Sequence, residues 1–345
     1  MRVCDYIAEY LYSLGVRRVY GLMGGGASGL NDGFIKHGKL QYVCHHHEQG
    51  AGYAAYGEAK FTNRISVVNP TTGCGGTNTL TPVLNAYQDA VPMLVLSGNV
   101  RLSHTTNYLN RTRGVQLRKY GVQEHDIVNT VKNITKLAEV VESPDTVAFQ
   151  LGKACYLAQN QRAGPVWLDI PSDVQTADMP LNPKLFEPTA RDYGSESYNA
   201  VVELLEQSRR PCVIAGNGIH VSNTRVSFER FVHYYNLPVV TSYLGRDLLP
   251  ADDQHMIGTI GIKGSRAANF VMHHADLLII LGCSMNATHV GYDEKQFSPN
   301  SKRIMIDCDY NEYCKGTVHI DRIYTVDLNS FFREFEHEQK HQHAG

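Results

Sequence analysis

The chain has 345 residues, of which 19% are charged and 43% hydrophobic, with 32 Lys and Arg against 34 Asp and Glu. That near-neutral, apolar-rich balance excludes a disordered chain, a collagen-like repeat and a nucleic-acid-binding tail, and no apolar run reaches the ~18 residues that span a bilayer. At roughly 100–200 residues per domain the length implies two domains, and with no secretory leader in view a cytoplasmic protein is expected, with no membrane or nucleic-acid partner. Eight cysteines occur singly with no C-x-x-C pair. They read as reduced core thiols rather than a disulfide frame or a zinc ribbon.

Val3, Ile7, Leu11 and Leu14 recur at helical spacing, Arg17 to Leu22 reads as a strand, and Gly24-Gly25-Gly26 marks a tight turn. The alternation continues through a strand at Leu40 to Cys44, a small-residue helix from Glu48, a strand at Ile65 to Val68 and a helix after Gly76. A strand at Met93 to Leu96, a helix near Asp145 to Gln159 and a strand at Pro165 to Ile170 close the first domain. Strands separated by helices predict a parallel sheet covered on both faces. Pro180, Pro183 and Pro188 interrupt the pattern, so 172–196 reads as an irregular linker. A second α/β pattern follows over 197–330: a helix at Ala200 to Gln207, then strands at Cys212 to Ala215, Pro238 to Thr241, Leu277 to Leu281 and Arg303 to Asp307. The expected fold class is therefore α/β, two doubly wound parallel-sheet domains joined by an irregular linker, with 331–345 as a polar tail.

Three patterns need weighing. Gly24, Gly26 and Gly29 satisfy G-x-G-x-x-G, with Glu48 about 20 residues on where a ribose ligand belongs. The domain opens with a helix, however, and adjacent glycines match many spacings, so a plain glycine turn is the competing reading. His337-Glu338-Gln339-Lys340-His341 matches H-E-x-x-H but has no third ligand downstream. His45, His46 and His47 end a strand, where alternate side chains face opposite ways, so all three cannot share one metal. No metal site is assigned. Glu48 is more informative, because it stands where a strand gives way to a helix opening Gln49-Gly50-Ala51-Gly52-Tyr53-Ala54-Ala55-Tyr56-Gly57. Its bland role is to satisfy the helix dipole.

The run Tyr42-Val43-Cys44-His45-His46-His47-Glu48-Gln49-Gly50-Ala51, then Pro70-Thr71-Thr72-Gly73-Cys74-Gly75-Gly76-Thr77-Asn78 and Val91-Pro92-Met93-Leu94-Val95-Leu96-Ser97-Gly98, resembles the pyrimidine-binding domain of thiamine-diphosphate enzymes of the acetolactate synthase type. Gly121-Val122-Gln123-Glu124 and Gly164-Pro165-Val166-Trp167-Leu168-Asp169-Ile170-Pro171 extend the match, and the second domain is similar to the family's central domain. Leu30-Asn31-Asp32 and Gly291-Tyr292 resemble acetolactate-synthase-like proteins encoded among surface-polysaccharide genes. The resemblance implies a thiamine-diphosphate pyrimidine-binding domain over 1–171, with Glu48 hydrogen-bonding the cofactor's aminopyrimidine and promoting its imino tautomer. It places Thr72, Gly73, Cys74, Gly75 and Asn78 against the cofactor and Gln123 beside the reaction centre. A carboxyl group taken out of water at a helix start suits such relay chemistry. The implied reaction is decarboxylation or carboligation of 2-oxo acids.

Departures from the family pattern shape the remaining expectations. Thiamine diphosphate with Mg2+ is anchored in the family by a G-D-G motif on a third domain, and these residues contain no such motif; Asn31-Asp32-Gly33 falls in the wrong domain. The 345 residues alone are therefore expected to be inactive, and a separate chain carrying the diphosphate-binding domain is one expected partner. A catalytically inactive homologue kept as a structural or binding protein is the alternative, and a nucleotide-binding oxidoreductase a third reading. Gly282 is followed by Cys283 and Ser284 rather than a basic residue, and Lys263 stands where flavin-carrying members have His, so FAD is not expected. Asn99, Cys74 and Val122 replace a usual Gln, a frequent Pro and an aromatic residue, which places pyruvate as substrate in question. The glycine-rich helix after Glu48 suits close contact in a homodimer or higher oligomer, with Glu48 on an exposed or dimer-facing side.

Overall fold

In the computed structural model, residues 1–189 and 198–342 are described, with side chains given through residue 335. They fall into two compact units, one on either side of the segment 190–197. Unit 1 is a six-stranded sheet in the order β2-β1-β3-β4-β6-β5, built from β1 (Arg18–Gly21), β2 (Gln41–Cys44), β3 (Ser66–Asn69), β4 (Met93–Asn99), β5 (Leu137–Val140) and β6 (Pro165–Pro171). Unit 2 has the order β12-β11-β10-β7-β8-β9, from β7 (Pro211–Ala215), β8 (Val239–Thr241), β9 (Met256–Thr259), β10 (Leu277–Leu281), β11 (Lys302–Asp307) and β12 (Arg322–Thr325). Every strand pair is parallel. Strands β5, β9 and β12 carry too little apolar periodicity to be read from sequence.

The period-two alternation of strand side chains divides each core between the two sheet faces. In β4, Leu94 and Leu96 face one layer with Val3, Ile7 and Leu11 of α1 (Val3–Ser13) and Leu30 and Phe34 of α2 (Ser28–Lys36). Met93 and Val95 face the other layer, with Ala51, Ala55 and Ala59 of α3 (Glu48–Thr62). The alanine spacing lets α3 lie close to the sheet, and Gly52 leaves room for the Pro82 ring, which a Cβ would meet at 2.4 Å. Pro82 belongs to α5 (Leu80–Gln88), which follows the short α4 (Cys74–Asn78). The sheet of unit 1 is completed by α6 (Thr106–Arg113), α7 (Ile127–Val131) and α8 (Val147–Gln159).

The segment read as a linker from residue 172 begins instead as α9 (Ser172–Thr176), where Gln175 is fully buried. Its amide donates to the carbonyls of Gly26 and Ile170, both at 2.7 Å, and its Oε1 accepts from Leu30 N. Phe186 then packs on Phe149 and Tyr156 of α8. Through residue 189 the proline-rich stretch is thus surface cover for unit 1; the remainder of the expected linker lies outside the described residues.

Unit 2 carries α10 (Asn199–Gln207), α11 (Gly218–Val221), α12 (Arg225–Tyr235), α13 (Arg266–His274), α14 (Ala287–Val290), α15 (Asn311–Cys314) and α16 (Leu328–Gln342). The last differs from the expected polar tail. Phe331, Phe332 and Phe335 are buried against Phe228 and Phe231 of α12, so the apolar face of α16 belongs to the core. The H-E-x-x-H pattern falls on the part of α16 whose side chains are not described. Of the eight free cysteines, Cys4, Cys155, Cys212 and Cys283 are buried, as expected for core thiols, whereas Cys308 is half-buried and Cys44, Cys74 and Cys314 are exposed. Among the described residues no helix is long and apolar enough to cross a membrane.

One buried carboxyl stands in the middle of the first sheet. Asp169 on β6 lies opposite Ser97 of β4 and is 3% exposed. Ser97 Oγ donates to Oδ1 at 2.5 Å, Asn99 Nδ2 donates to Oδ2 at 2.7 Å, and Trp167 Nε1 donates to Ser97 Oγ at 2.7 Å. Burial disfavours the ionised form and pushes the group up to about 7, with the two hydrogen bonds opposing the rise. The folded chain therefore keeps a proton that the unfolded chain releases near 3.8, and this stabilisation is complete below 3.8 and lost as pH rises through about 7. The expected outcome is that the melting-temperature advantage of the native chain over D169N shrinks steadily between those pH values. Scanning calorimetry of both proteins across that range checks it, and a difference that stays constant or grows with pH contradicts it.

Candidate active site

In open parallel sheets ligands bind beyond the carboxyl ends of the strands, where the strand order reverses. In unit 1 that reversal lies between β1 and β3, since β2 continues to one side of β1 and β4 to the other side of β3. The loops leaving these strands carry the residues singled out from sequence: Gly24 to Gly26 after β1, Glu48 after β2 and Thr71 to Asn78 after β3.

Glu48 opens α3 and is only 6% exposed. It is buried against loops of its own unit, so of the exposed or dimer-facing position expected the exposed half does not hold. Its Oε2 accepts from Asn78 Nδ2 at 2.9 Å. A Cβ on Gly75 would lie 3.2 Å from Oε1 and 2.7 Å from Thr71 Cγ2, so the glycine keeps a cradle open at that oxygen. The helix dipole favours a carboxylate here, but the capping bond itself comes from elsewhere. His47 is the N-cap, its Nδ1 accepting from Gln49 N at 3.1 Å. Glu48 is therefore spared the capping role, and its side chain bonds instead across to Asn78 of α4.

Gly73 has φ +56°, a left-handed conformation, and a Cβ there would meet the Gln123 carbonyl oxygen at 1.7 Å. Gln123 is itself left-handed at φ 56°, so the loop carrying it lies directly on Gly73 with the Gln123 side chain exposed. Glu124 is buried and pins this loop, accepting from Thr106 N, Thr106 Oγ1 and Tyr120 N. Thr72 Oγ1 donates to Gly98 O at 3.2 Å, while Cys74 is exposed at the start of α4. The fold thus gathers Glu48, Thr72, Gly73, Cys74, Gly75, Asn78 and Gln123 beyond the carboxyl ends of the strands. Glu124 follows Gln123 in the same motif, and its burial beside that exposed glutamine cannot be read from composition.

The G-x-G-x-x-G match does not build a phosphate cradle. Gly24 packs on the Thr71 side chain, Gly26 on Thr72 and Gly29 on Gln175, with Cβ approaches of 2.5, 1.6 and 2.8 Å. These glycines admit neighbouring side chains of the same chain. His45 Nδ1 lies 3.1 Å from Val43 O, and with His47 used as a cap the histidine run forms no common ligand set.

The descriptions of known families fit this geometry. Residues 1–129 match the thiamine pyrophosphate enzyme N-terminal TPP binding domain, and residues 198–329 match the thiamine pyrophosphate enzyme central domain. Relatives include the acetolactate synthase large subunit of Lactococcus lactis subsp. lactis (strain IL1403), 32% identical over 90% of this chain and 52% of that protein. Acetolactate synthase isozyme 1 large subunit of Escherichia coli (strain K12) is 29% identical over 90% of this chain and 53% of its own length. The probable acetolactate synthase large subunit of Methanocaldococcus jannaschii is 28% identical over 92% and 52% respectively. The chain spans about half the length of these relatives. With both domains matched in order and the residues singled out from sequence gathered beyond the carboxyl ends of the strands, the chain belongs to the thiamine pyrophosphate enzymes, of which it carries the N-terminal TPP-binding and central domains.

Proposed function

We propose that this chain binds the aminopyrimidine half of thiamine diphosphate at Glu48 and takes part in acetolactate-synthase-like decarboxylation or carboligation of 2-oxo acids. The diphosphate and its Mg2+ are held, on this reading, by a further domain or a separate chain. The observation that carries it is the Glu48 carboxylate, buried, freed from helix capping by His47 and steadied on one oxygen by Asn78. The cradle over Oε1, which a side chain at Gly75 would fill, suits a flat heteroaromatic ring carrying a nitrogen to be protonated. An inactive homologue needs only a dipole-satisfying acid at this helix start, and nothing in that role requires Asn78 to orient it.

When bound, the cofactor supplies the nucleophilic carbon and electron sink for 2-oxo acid chemistry. Glu48 contributes a carboxyl oxygen able to exchange a proton with a ring nitrogen, and Asn78 fixes which oxygen does so. Gly73 lets the loop of Gln123 approach at backbone distance, placing that residue at the rim of the site. Diphosphate and divalent metal need carboxylate and amide oxygens in octahedral array, for which these residues provide no G-D-G motif. The contacts that remain supply on the order of 3–5 kcal/mol, equivalent to a Kd between roughly 0.2 and 6 mM.

Titration calorimetry of the 345-residue chain with thiamine diphosphate and Mg2+ is expected to show millimolar binding and no turnover; micromolar binding contradicts the division of the site. Once a chain bearing the diphosphate-binding domain restores 2-oxo acid turnover, E48Q is expected to lower it by about 10²-fold or more while assembly persists. An active E48Q protein sinks the role of Glu48.

The same reading makes the chain a homodimer or higher oligomer. Gly50, Tyr53, Gly57 and Phe61 follow at helical spacing on the exposed face of α3, where a Cβ on Gly57 meets nothing within 4 Å and Phe61 is 90% exposed. Gly52, by contrast, is already used by Pro82 within the chain. Light scattering at micromolar concentration is expected to give a multiple of the single-chain mass, reduced toward it by F61E. A native protein that scatters only as a single chain overturns this.

A further inference from the structure

Unit 2 contains a side-chain cluster that the thiamine chemistry does not use. His233 sits in the last turn of α12, Asp253 in the turn that leads to β9, and His255 immediately before that strand. His233 Nε2 lies 2.8 Å from Asp253 Oδ2, and His255 Nδ1 lies 3.0 Å from Asp253 Oδ1. One ligand atom from each residue falls within 4.8 Å of the other two, and the imidazole centroids are 4.9 Å apart. The spacing, 20 and then 2 residues, matches no metal motif, so no metal ligand was expected here.

We propose that His233, Asp253 and His255 form a binding site for a single divalent transition-metal ion, zinc(II) by the nature of its ligands. Imidazole nitrogen and carboxylate oxygen are the donors of three-ligand zinc sites, whose fourth position is left to water. Asn236, the left-handed C-cap of α12, places Oδ1 3.0 Å from His255 Nε2. It accepts that N–H and so presents the Nδ1 lone pair to Asp253, as outer-shell partners of metal-bound histidines do. Two lone pairs facing each other at 3.0 Å need a proton or a cation between them. His255 is only 8% exposed and its ring stands beside that of His233, so both imidazoles converge on the one carboxylate. The His255 backbone N–H donates to Asp253 Oδ1 at 2.8 Å and holds the carboxylate facing the two imidazoles. His233 is 43% exposed, so the ion has an open side for water and an entry path. Ligand atoms around zinc stand about 3.3 Å apart, between the 2.8 and 3.0 Å His–Asp contacts and the 4.8 Å within which all three ligand atoms fall, and the solvent-side His233 ring is the one that adjusts. The ion would clamp the end of α12 to the start of the edge strand β9.

The test uses the full chain, stripped with chelator and titrated with zinc(II) in a calorimeter and with cobalt(II) in a spectrophotometer. The expected result includes one equivalent of micromolar zinc(II) that raises the melting temperature, with the visible absorption of tetrahedral cobalt(II). H233Q, at a half-exposed position, is expected to keep the metal-free melting temperature and weaken that equivalent by about tenfold or more. N236G keeps the left-handed backbone and is expected to weaken it about 10–100-fold. H220Q, which alters a lone His–Asp pair elsewhere in unit 2, is expected to change nothing. Binding no tighter than about 100 μM, or tight binding untouched by H233Q and N236G, overturns the proposal and leaves the cluster as a hydrogen-bonded clamp.

Discussion

The candidate active site depends on one steric constraint: the loops leaving β1, β3 and β4 touch at backbone distance. Gly98, in β4, would place a Cβ 2.2 Å from the Gly26 carbonyl oxygen, and Gly26 would place one 1.6 Å from Thr72 Oγ1. A side chain at Gly98 meets only backbone and pushes the β1 loop away by about an ångström, while one at Gly26 forces the Thr72 side chain out of its place, and protein interiors do not absorb such shifts freely. The Thr72 to Asn78 segment is held by this contact, and Asn78 in turn orients Glu48. The Glu48 carboxylate is thus positioned largely by glycines that carry no side chain.

The sheet beneath is stiffened by polar groups that satisfy each other away from water. Asn69 donates to Leu96 O and accepts from Asn31, while Asp169 takes hydrogen bonds from Ser97 and Asn99. Such networks are costly when incomplete, because each orphaned group keeps its desolvation penalty. Complete, they tie α2, β3, β4 and β6 to one register and set the height at which the loops emerge. Unit 2 uses the same plan with different filling. Gly216 and Gly218 pack directly on Gly282, so the loops after β7 and β10 close on each other at the point where that strand order reverses.

Much of the fold was legible because parallel strands buried on both faces are nearly continuous apolar runs, and helices between them repeat at 3.6 residues. Strands such as β4 and β10 announce themselves in this way. β5 and β9 do not, since their residues are half-buried at or near a sheet edge and alternate with polar groups. The polar half of α16 hid Phe335, whose burial needs α12 beside it, and the prolines after Pro171 concealed that Gln175 and Phe186 belong to the first unit.

For the site the division falls differently. The sequence by itself determined which residue types were available: an acid at a helix start, a glycine-rich turn after a buried strand, and the order of motifs that resembles one enzyme family. Only the tertiary structure decided that His47 caps α3 and releases Glu48, that Asn78 is its partner, and that the glycines near residue 26 accommodate neighbouring side chains rather than a phosphate. The same holds for His233, Asp253 and His255, which meet through the end of a helix and the approach to a strand. Local spacing along the chain encodes periodicity and capping, but contacts between loops 20 to 100 residues apart exist only after the sheet has set the distance between their ends.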